Sequence, residues 1–126
     1  MYTRFEILNT TQRNEKTSQY SESGGTEMNK IFFTITGTCY RFGQDFLEPG
    51  MTVRLVKEPD NEFDKEAIKV EMEGLGQIGY VANSPRTVQG ESYSAGRLYD
   101  KIGDTVEGKV MYVLTKGVLG YVEVEP

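Results

Sequence analysis

Six short segments rich in β-branched and aromatic residues follow one another from Lys30 onward, separated by turns that contain glycine or proline. Short runs of this composition, bounded by turn residues, are typical of β-strands. The predicted strands span residues 31–36, 51–56, 67–72, 77–82, 105–114 and 118–124. The last two flank a turn ending at Gly117 and are predicted to form a hairpin. This succession, with 14 glycines in the chain, fits a turn-rich β protein better than a helical bundle.

Only the connection between the fourth and fifth predicted strands carries helical signals. Ser84 followed by Pro85 suits a helix start, with the serine as N-cap and the proline at the first helical position. A second short helix is predicted over residues 94–103, since Ser94 can cap it and Gly103 can end it. The predicted fold is mainly β: a small six-stranded OB-like or SH3-like barrel with one or two short helices between strands four and five. Closing the barrel leaves no long sheet edge exposed.

The chain has 126 residues, the size of one domain, but its first part differs from the rest. Residues 10–19 contain no apolar side chain, and residues 21–26 continue in the same way. Such a segment cannot bury enough apolar area to offset the entropy lost on ordering. We therefore predict a disordered tail over residues 1–29 and one β-barrel domain over residues 30–126.

The composition excludes several kinds of chemistry. Histidine is absent, which removes histidine-based acid–base catalysis, the Ser-His and Cys-His nucleophile systems, and histidine metal sites. A single cysteine, Cys39, leaves no internal disulfide or cysteine-built zinc site, and we expect it to be a small buried residue. No segment approaches the about 20 apolar residues of a membrane helix, and no signal peptide is visible. The sequence predicts a soluble cytoplasmic protein with no cofactor, metal or membrane partner.

The net charge restricts the kind of nucleic-acid contact that this chain can make. Fourteen basic residues stand against nineteen acidic ones, giving a formal net charge of −5. This argues against a broad non-specific grip on duplex DNA, which depends on neutralising many phosphates. It remains compatible with a compact pocket that holds one or two nucleotides.

Residues 58–70 place an aromatic side chain and a carboxylate next to each other before a predicted strand. Pro59 excludes a helix at the start of the run, turn-forming residues follow, and the strand begins at Ala67. Phe63 and Asp64 lie side by side in the loop. A stacking surface beside a fixed hydrogen-bond acceptor is typical of a binding site rather than a catalytic one.

Together with three other pieces, this run resembles the HIRAN domain family over roughly residues 31–102. The other pieces are the first strand leading into residues 37–43, the Pro49-Gly50 turn with the strand after it, and residues 77–81. In that family the domain is an OB-like β-barrel found on DNA-repair helicase-like proteins and also alone in bacteria. The resemblance, closest to the free-standing bacterial type, implies a nucleic-acid-binding module without catalysis. It implies recognition of single-stranded DNA at 3′-hydroxyl ends, in DNA repair or replication.

The resemblance also implies which residues form the pocket. Tyr40, with Phe42 as a nearby second candidate, stands where the family has an aromatic residue that stacks on a base. Asn61 and the pair Phe63 and Asp64 close the pocket, and the Asp64 carboxylate accepts a hydrogen bond from the terminal 3′-hydroxyl. A carboxylate repels phosphate but accepts from a free hydroxyl, so Asp64 would favour an end over an internal linkage.

The expected phosphate path departs from the family pattern in two places. Tyr80 and the nearby Asn83 stand where family members that bind DNA tend to have a basic or imidazole residue and a lysine. Cys39 stands where a basic residue often precedes the first aromatic residue. Arg41, Lys57, Lys69 and Arg86 are the basic residues that can compensate. The residues predicted to bind nucleic acid are Tyr40, Arg41, Phe42, Asn61, Phe63, Asp64, Lys69 and Tyr80.

Each of these residues also has a structural interpretation. Tyr40 and Phe63 can be packing residues of the core or the barrel mouth, and Asp64 and Asn61 can bond to nearby backbone in a turn. The alternative function is a protein-interaction or regulatory barrel that uses the same mouth for a peptide, which the acidic balance favours. An enzyme is disfavoured because no base–nucleophile pair is visible. A calcium loop is disfavoured because Lys65 stands where that loop needs glycine.

Overall fold

The computed structural model describes residues 28–125. Within this range the chain forms the elements β1 (Asn29–Thr36), a 3-10 helix (Thr38–Tyr40), β2 (Thr52–Lys57), β3 (Ile68–Met72), β4 (Gly76–Val81), α1 (Ala95–Tyr99), β5 (Thr105–Leu114) and β6 (Gly117–Val124). The prediction of a tail over residues 1–29 falls almost wholly outside the described residues. Neither helix in the described range is long and apolar enough to cross a membrane.

The six strands form a closed antiparallel barrel in the order β1-β4-β3-β2-β5-β6, with β6 returning to pair with β1. This confirms the predicted six-stranded barrel. The two seams of β1 differ in length: it pairs with β6 from Asn29 to Ile35, but with β4 only at Ile35 and Thr36. The rest of that short seam is covered by the connection between β4 and α1.

A buried polar cluster fastens this connection to the barrel. Tyr93 donates its backbone N–H to the Phe32 carbonyl at 2.7 Å. The Gln89 N–H donates to the Thr34 hydroxyl oxygen at 3.0 Å, and the Ser92 hydroxyl donates to the Gln89 carbonyl at 2.7 Å. The Thr34 hydroxyl, 2.8 Å from the Ser92 oxygen, is then the donor of that last contact. Pairing the Thr34 and Ser92 hydroxyls in this way avoids the cost of leaving them unsatisfied.

The helical content is smaller than the sequence pattern indicates. Ser94 caps α1 as predicted, its hydroxyl accepting from the Arg97 N–H, but the helix ends at Tyr99 rather than near Gly103. No helix starts at Ser84. The Thr87 and Val88 N–H groups both donate to the Ser84 carbonyl and form an isolated turn. The chain leaves that turn at once, because the next residue, Gln89, uses its N–H on Thr34 rather than continuing a helix.

The core fills the barrel interior and extends under α1. The strands contribute alternating inward-facing residues. Helix α1 adds Ala95 and Leu98, and Ile102, which follows the helix, packs into the same core. The buried hydrophobic residues are Phe33, Ile35, Leu47, Val53, Leu55, Ala67, Ile68, Val70, Ile78, Val81, Ala82, Ala95, Leu98, Ile102, Val110, Val118 and Val122. Neither Tyr40 nor Phe63 is among them, which leaves both rings outside the core.

Candidate nucleic-acid interface

The loop between β2 and β3 is held in shape by the side chain of Asn61. Its carbonyl oxygen accepts from the backbone N–H of Phe63 at 2.8 Å and from that of Asp64 at 3.0 Å. Asparagine favours such local turns because its short amide mimics a backbone carbonyl. The interaction fixes the backbone on either side of the Phe63 Cα, so the ring projects from an ordered turn. Asn61 therefore has the structural role that the sequence also allowed.

Phe63 and Tyr40 are the most exposed large hydrophobic residues in the described range, at 95% and 87% of their full accessible surface. The interpretation of these two residues as core packing is wrong. Burying an aromatic side chain is a major source of stability, so a folded domain that leaves two of them in water forgoes that gain. Aromatic residues are enriched at binding interfaces, so both rings are candidates for contact with a ligand.

Asp64 lies beside the exposed ring, and both of its carboxylate oxygens are oriented by neighbours. Oδ1 accepts from the Glu66 N–H at 2.9 Å, and Oδ2 accepts from the side-chain amide of Asn83 at 2.8 Å. The turn role considered from the sequence is therefore present. It does not saturate the group, because an ionised carboxylate has about four lone-pair sites. The oriented carboxylate retains capacity for a further donor.

Two adjoining concavities meet at the Phe63 ring. The first, the Asp64 groove, has a volume of about 420 Å³ and is lined by Asn61, Phe63, Asp64, Ala67, Tyr80, Val81, Asn83 and Ser84. The second, the Pro59 groove, has a volume of about 510 Å³ and is lined by Lys57, Glu58, Pro59, Asp60, Asn61, Glu62, Phe63 and Tyr80. Both volumes lie in the range of small-ligand sites. Four of the predicted site residues thus line one groove.

Tyr80 braces the loop against the barrel. Its hydroxyl donates to Glu58 Oε1 at 2.8 Å, and the same oxygen accepts from the Asn61 side-chain amide at 3.1 Å. Glu58 therefore joins strand β4 to the residue that shapes the loop. The sequence did not reveal this role of Glu58, because nothing in residues 58–70 indicates that Tyr80 binds it.

Lys69 lies on the outer face of the barrel and forms an ion pair with Glu71. It pairs in register with Tyr80, and its ammonium is 3.0 Å from Glu71 Oε2, while Arg54 contacts the other Glu71 oxygen at 2.8 Å. The hydrogen bond from Arg54, followed by that from Lys69, lowers the pKa of the Glu71 carboxyl. The hydrogen bond to Glu71 raises the pKa of Lys69. A contact between Lys69 and nucleic acid stays a prediction.

We expect Glu71→Gln to be less stable than the parent at pH 7, by about 0.5–1 kcal/mol, since surface ion pairs are screened by water. The folded-state pKa of Glu71 lies below its unfolded value, so its contribution is present at neutral pH and is lost as the pH falls through the folded-state pKa. Urea denaturation at pH 7 and pH 3 would measure the difference, which should shrink at the lower pH. Glu73→Gln, an exposed neighbour, is the matched control. An equal loss at both pH values would contradict the ion-pair explanation.

Tyr40, Arg41 and Phe42 form a second exposed group, at the 3-10 helix after β1. Arg41 donates to the Gln77 side-chain oxygen at 3.2 Å, which ties this group to β4. A shift in register between Val70 and Glu71 puts Gln77 on the same outer face as Tyr80, roughly 10 Å along the strand. Among residues 28–125, no described hydrogen bond or ring contact links Tyr40 or Phe42 to Phe63.

Two further expectations, for Cys39 and Lys57, can be compared with the structure. Cys39 is exposed, so its assignment as a small buried residue is wrong; the short helix after β1 turns it outward next to Tyr40. Lys57 donates to the Ile102 carbonyl at 2.9 Å and lies 4.4 Å from the centre of the Tyr99 ring, where it supports the region after α1. In the described part of the chain, no acidic or cysteine residues gather in threes to hold a metal ion.

Comparison with known proteins identifies one family and two similar structures. A family model described as the HIRAN domain matches residues 28–117. The crystal structure of the HIRAN domain of human HLTF has a TM-score of 0.53 at 20% identity, over 82% of this chain and 84% of that one. The crystal structure of a protein from Lactobacillus plantarum has a TM-score of 0.52 at 23% identity, over 79% and 100%. At these sequence identities the two structures support the fold of this chain and nothing about its function. No curated protein matches the chain.

Proposed function

The chain belongs to the HIRAN domain family, known as a nucleic-acid-binding module, and we propose that it binds single-stranded DNA at a free 3′-hydroxyl end. A HIRAN domain is a binding domain and is not catalytic by itself. The proposal assigns the terminal nucleotide to the Asp64 groove. The observation that carries it is the pairing of a fully exposed ring with an adjacent oriented carboxylate, Phe63 with Asp64.

The Phe63 ring supplies a surface on which a base can stack. Stacking of a base on an aromatic side chain contributes about 1–3 kcal/mol and tolerates every base. The ring stands on a backbone that Asn61 has already ordered, so little conformational entropy is lost when a base covers it. Preorganisation of this kind favours binding without requiring any change in the barrel.

The Asp64 carboxylate supplies the discrimination between kinds of strand end. A terminal hydroxyl can donate a hydrogen bond to it, whereas a phosphate at the same place brings like charges together. Asp64 cannot easily turn away from a phosphate, because the Glu66 N–H and the Asn83 amide both hold it. The fixed carboxylate therefore acts against strands that have no free hydroxyl in the groove.

The acidic surroundings of the loop set the expected strength of binding. Glu58, Asp60 and Glu62 line the neighbouring Pro59 groove and repel a phosphate backbone. Stacking and the end hydroxyl must therefore carry most of the affinity, with few phosphates neutralised. We expect weak binding that is best observed at low ionic strength.

The test compares two oligonucleotides that differ only at the 3′ end. A 5′-labelled oligothymidylate with a 3′-hydroxyl should bind about tenfold more tightly than the same strand with a 3′-phosphate, measured by fluorescence anisotropy. A pair that differs instead by a 5′-hydroxyl or 5′-phosphate, labelled internally, is the matched control and should differ little. Equal affinity for the two 3′ ends, or preference for the phosphate, would contradict the proposal.

A protein-interaction function is the second candidate, and the acidic lining of the Pro59 groove favours it. Carboxylates around an exposed aromatic side chain suit a peptide with lysine or arginine next to an apolar residue. Binding of a labelled lysine-rich peptide, in the absence of binding to either 3′ end, would favour this function over the first.

A further inference from the structure

A third concavity, the Arg97 groove, continues the Asp64 groove along the barrel surface. It has a volume of about 420 Å³ and is lined by Asn83, Ser84, Pro85, Val88, Gly90, Glu91, Ser92, Ser94 and Arg97. Asn83 and Ser84 line both grooves. The two concavities therefore adjoin at these two residues, and we call the pair the channel, which extends from the Phe63 ring past the end of β4 to α1.

The Asn83 side chain sets the spacing between the two halves of this channel. Its amide nitrogen donates to Asp64 Oδ2 at 2.8 Å, and its oxygen accepts from the Gly96 N–H at 2.9 Å. Gly96 directly precedes Arg97. The Gly96 backbone also lies close to the Glu66 side chain of the loop, since an added Cβ would be 2.6 Å from Glu66 Oε1. The Asp64 carboxylate and the start of α1 are thus held at a fixed short separation.

Arg97 has a fixed position and unused hydrogen-bond donors. Its guanidinium lies 4.0 Å from the centre of the Tyr93 ring, and Tyr93 is in turn bound to β1 through its backbone N–H. Stacking on a ring leaves the edge N–H groups of a guanidinium available. Within residues 28–125 Arg97 forms no ion pair and no side-chain hydrogen bond.

The other basic residues near the channel are engaged or lie outside it. Lys57 binds the Ile102 carbonyl, Lys69 pairs with Glu71, and Arg41 binds Gln77. Arg86 does not line the Arg97 groove. Among the described residues, Arg97 is therefore the cation that lines this channel. Its guanidinium is held by the Tyr93 ring and has no carboxylate partner within residues 28–125.

We propose that Arg97 binds the phosphate on the 5′ side of the terminal nucleotide, so that the strand leaves the Asp64 groove over Asn83 and Ser84 towards α1. This inference rests on the proposed function and adds a direction to it. A stacked guanidinium presents two parallel N–H donors, which match two phosphate oxygens. The arrangement separates the two polar tasks: Asp64 takes the hydroxyl end, and Arg97 takes the first backbone charge.

The direction of the strand has a consequence for the smallest good ligand. A single nucleoside fills only the Asp64 groove and gains nothing from Arg97. A nucleoside 5′-phosphate with a free 3′-hydroxyl already reaches both positions. Affinity should therefore rise sharply from the nucleoside to its 5′-phosphate and more slowly with each further nucleotide.

The first test removes the charge from the protein. Arg97→Gln should weaken binding of a 5′-labelled oligothymidylate with a 3′-hydroxyl by about three- to tenfold at low salt. It should also reduce the slope of log K against log salt by about 0.7, the value for one phosphate of a single strand. Lys101→Gln, which removes an equal charge from an exposed residue outside the channel, is the matched control. Glu91→Gln should change affinity in the opposite direction, because that carboxylate lines the same groove.

The second test removes the charge from the ligand. The last internucleotide linkage is replaced by an uncharged methylphosphonate, and the affinities of the parent and Arg97→Gln are measured for both strands. The replacement should weaken binding to the parent but change little for the variant, because the partner of that phosphate is then missing. A purely structural role of Arg97 would leave the two effects independent.

The outcomes separate this inference from the function on which it rests. If the strand binds through Phe63 and Asp64 while Arg97→Gln matches Lys101→Gln in affinity and salt slope, the role of Arg97 is wrong and the proposed function stands. Equal effects of the methylphosphonate on parent and variant would also overturn it. If the parent does not bind the unmodified oligothymidylate with a 3′-hydroxyl, the proposed function and this inference are both wrong.

Discussion

Replacing Phe63 and Asp64 together by alanine should reduce the affinity for an oligonucleotide with a free 3′-hydroxyl by about a hundredfold or more. Loss of a stacked base removes about 1–3 kcal/mol. Loss of a hydrogen bond to a charged group removes about 1.5–3 kcal/mol, although water replaces part of it. Both groups are assigned to the same terminal nucleotide, so their losses combine. Fluorescence anisotropy on the parent, the two single variants and the double variant measures each effect.

The controls for this prediction separate loss of contact from loss of structure. Phe63 is almost fully exposed, so its removal should leave the unfolding free energy unchanged. Removing the Asp64 carboxylate frees the Asn83 amide and should loosen the loop but not the barrel. Tyr112→Ala, another exposed ring in the β5–β6 hairpin, is the matched control and should bind as the parent does. An affinity of the double variant within twofold of the parent would contradict the proposed pocket.

Phe33→Ala should lower the free energy of unfolding by about 3–5 kcal/mol, the usual cost of removing a buried phenylalanine side chain. Phe33 is completely buried and packs where Gly120 on the paired strand has no side chain. An added Cβ at Gly120 would lie 2.8 Å from the ring, which shows how closely the Phe33 ring packs over the Gly120 backbone. For a small domain with about 5–15 kcal/mol of stability, this loss leaves a marginal fold.

The neighbouring residue provides the control for this prediction. Phe32 has the same side chain but lies on the outer face, 39% exposed, with its ring edge-on to Tyr121. Phe32→Ala should therefore cost less than about 1 kcal/mol. Urea denaturation of both variants at pH 7 would measure the difference. Equal losses would contradict the difference in burial between the two side chains, and a larger loss for Phe32 would mean that β1 presents the opposite face to the core.

The strands of this barrel could be predicted from the sequence because their signals are local. Alternation and turn residues located all six strands, including the hairpin at Gly117. The helical connection was less predictable because tertiary contacts override local preference there. Ser84 and Pro85 have the composition of a helix start, yet the chain must return to place Gln89 on Thr34. That contact joins residues 55 positions apart and leaves no trace in the local pattern.

The candidate site divides in the same way. The Asn61 turn follows from residue type alone, because asparagine favours bonds to the backbone two or three residues later. The contacts that complete the site are long-range: Tyr80 with Glu58, and Asn83 with both Asp64 and Gly96. From the sequence, Asn83 is notable only because it stands where related domains tend to have a lysine. In the structure its side-chain amide orients the Asp64 carboxylate. Residues 94–97, which include Arg97, resemble free-standing bacterial members of the family, but the resemblance assigns no role to Arg97; its fixed position is evident only from its contact with the Tyr93 ring.

The most direct measurement of where a strand end binds is a titration followed by ¹⁵N-resolved NMR. An oligothymidylate with a 3′-hydroxyl is added to labelled protein at low salt, and backbone and side-chain amide shifts are recorded. If the terminal nucleotide lies in the Asp64 groove, the largest changes should occur at Phe63 and Asp64 and at the Asn83 side-chain amide. Changes concentrated instead at the exposed hairpin residues Tyr112, Val113 and Leu114, with Phe63 and Asn83 unmoved, would contradict binding of the strand end at this ring and carboxylate.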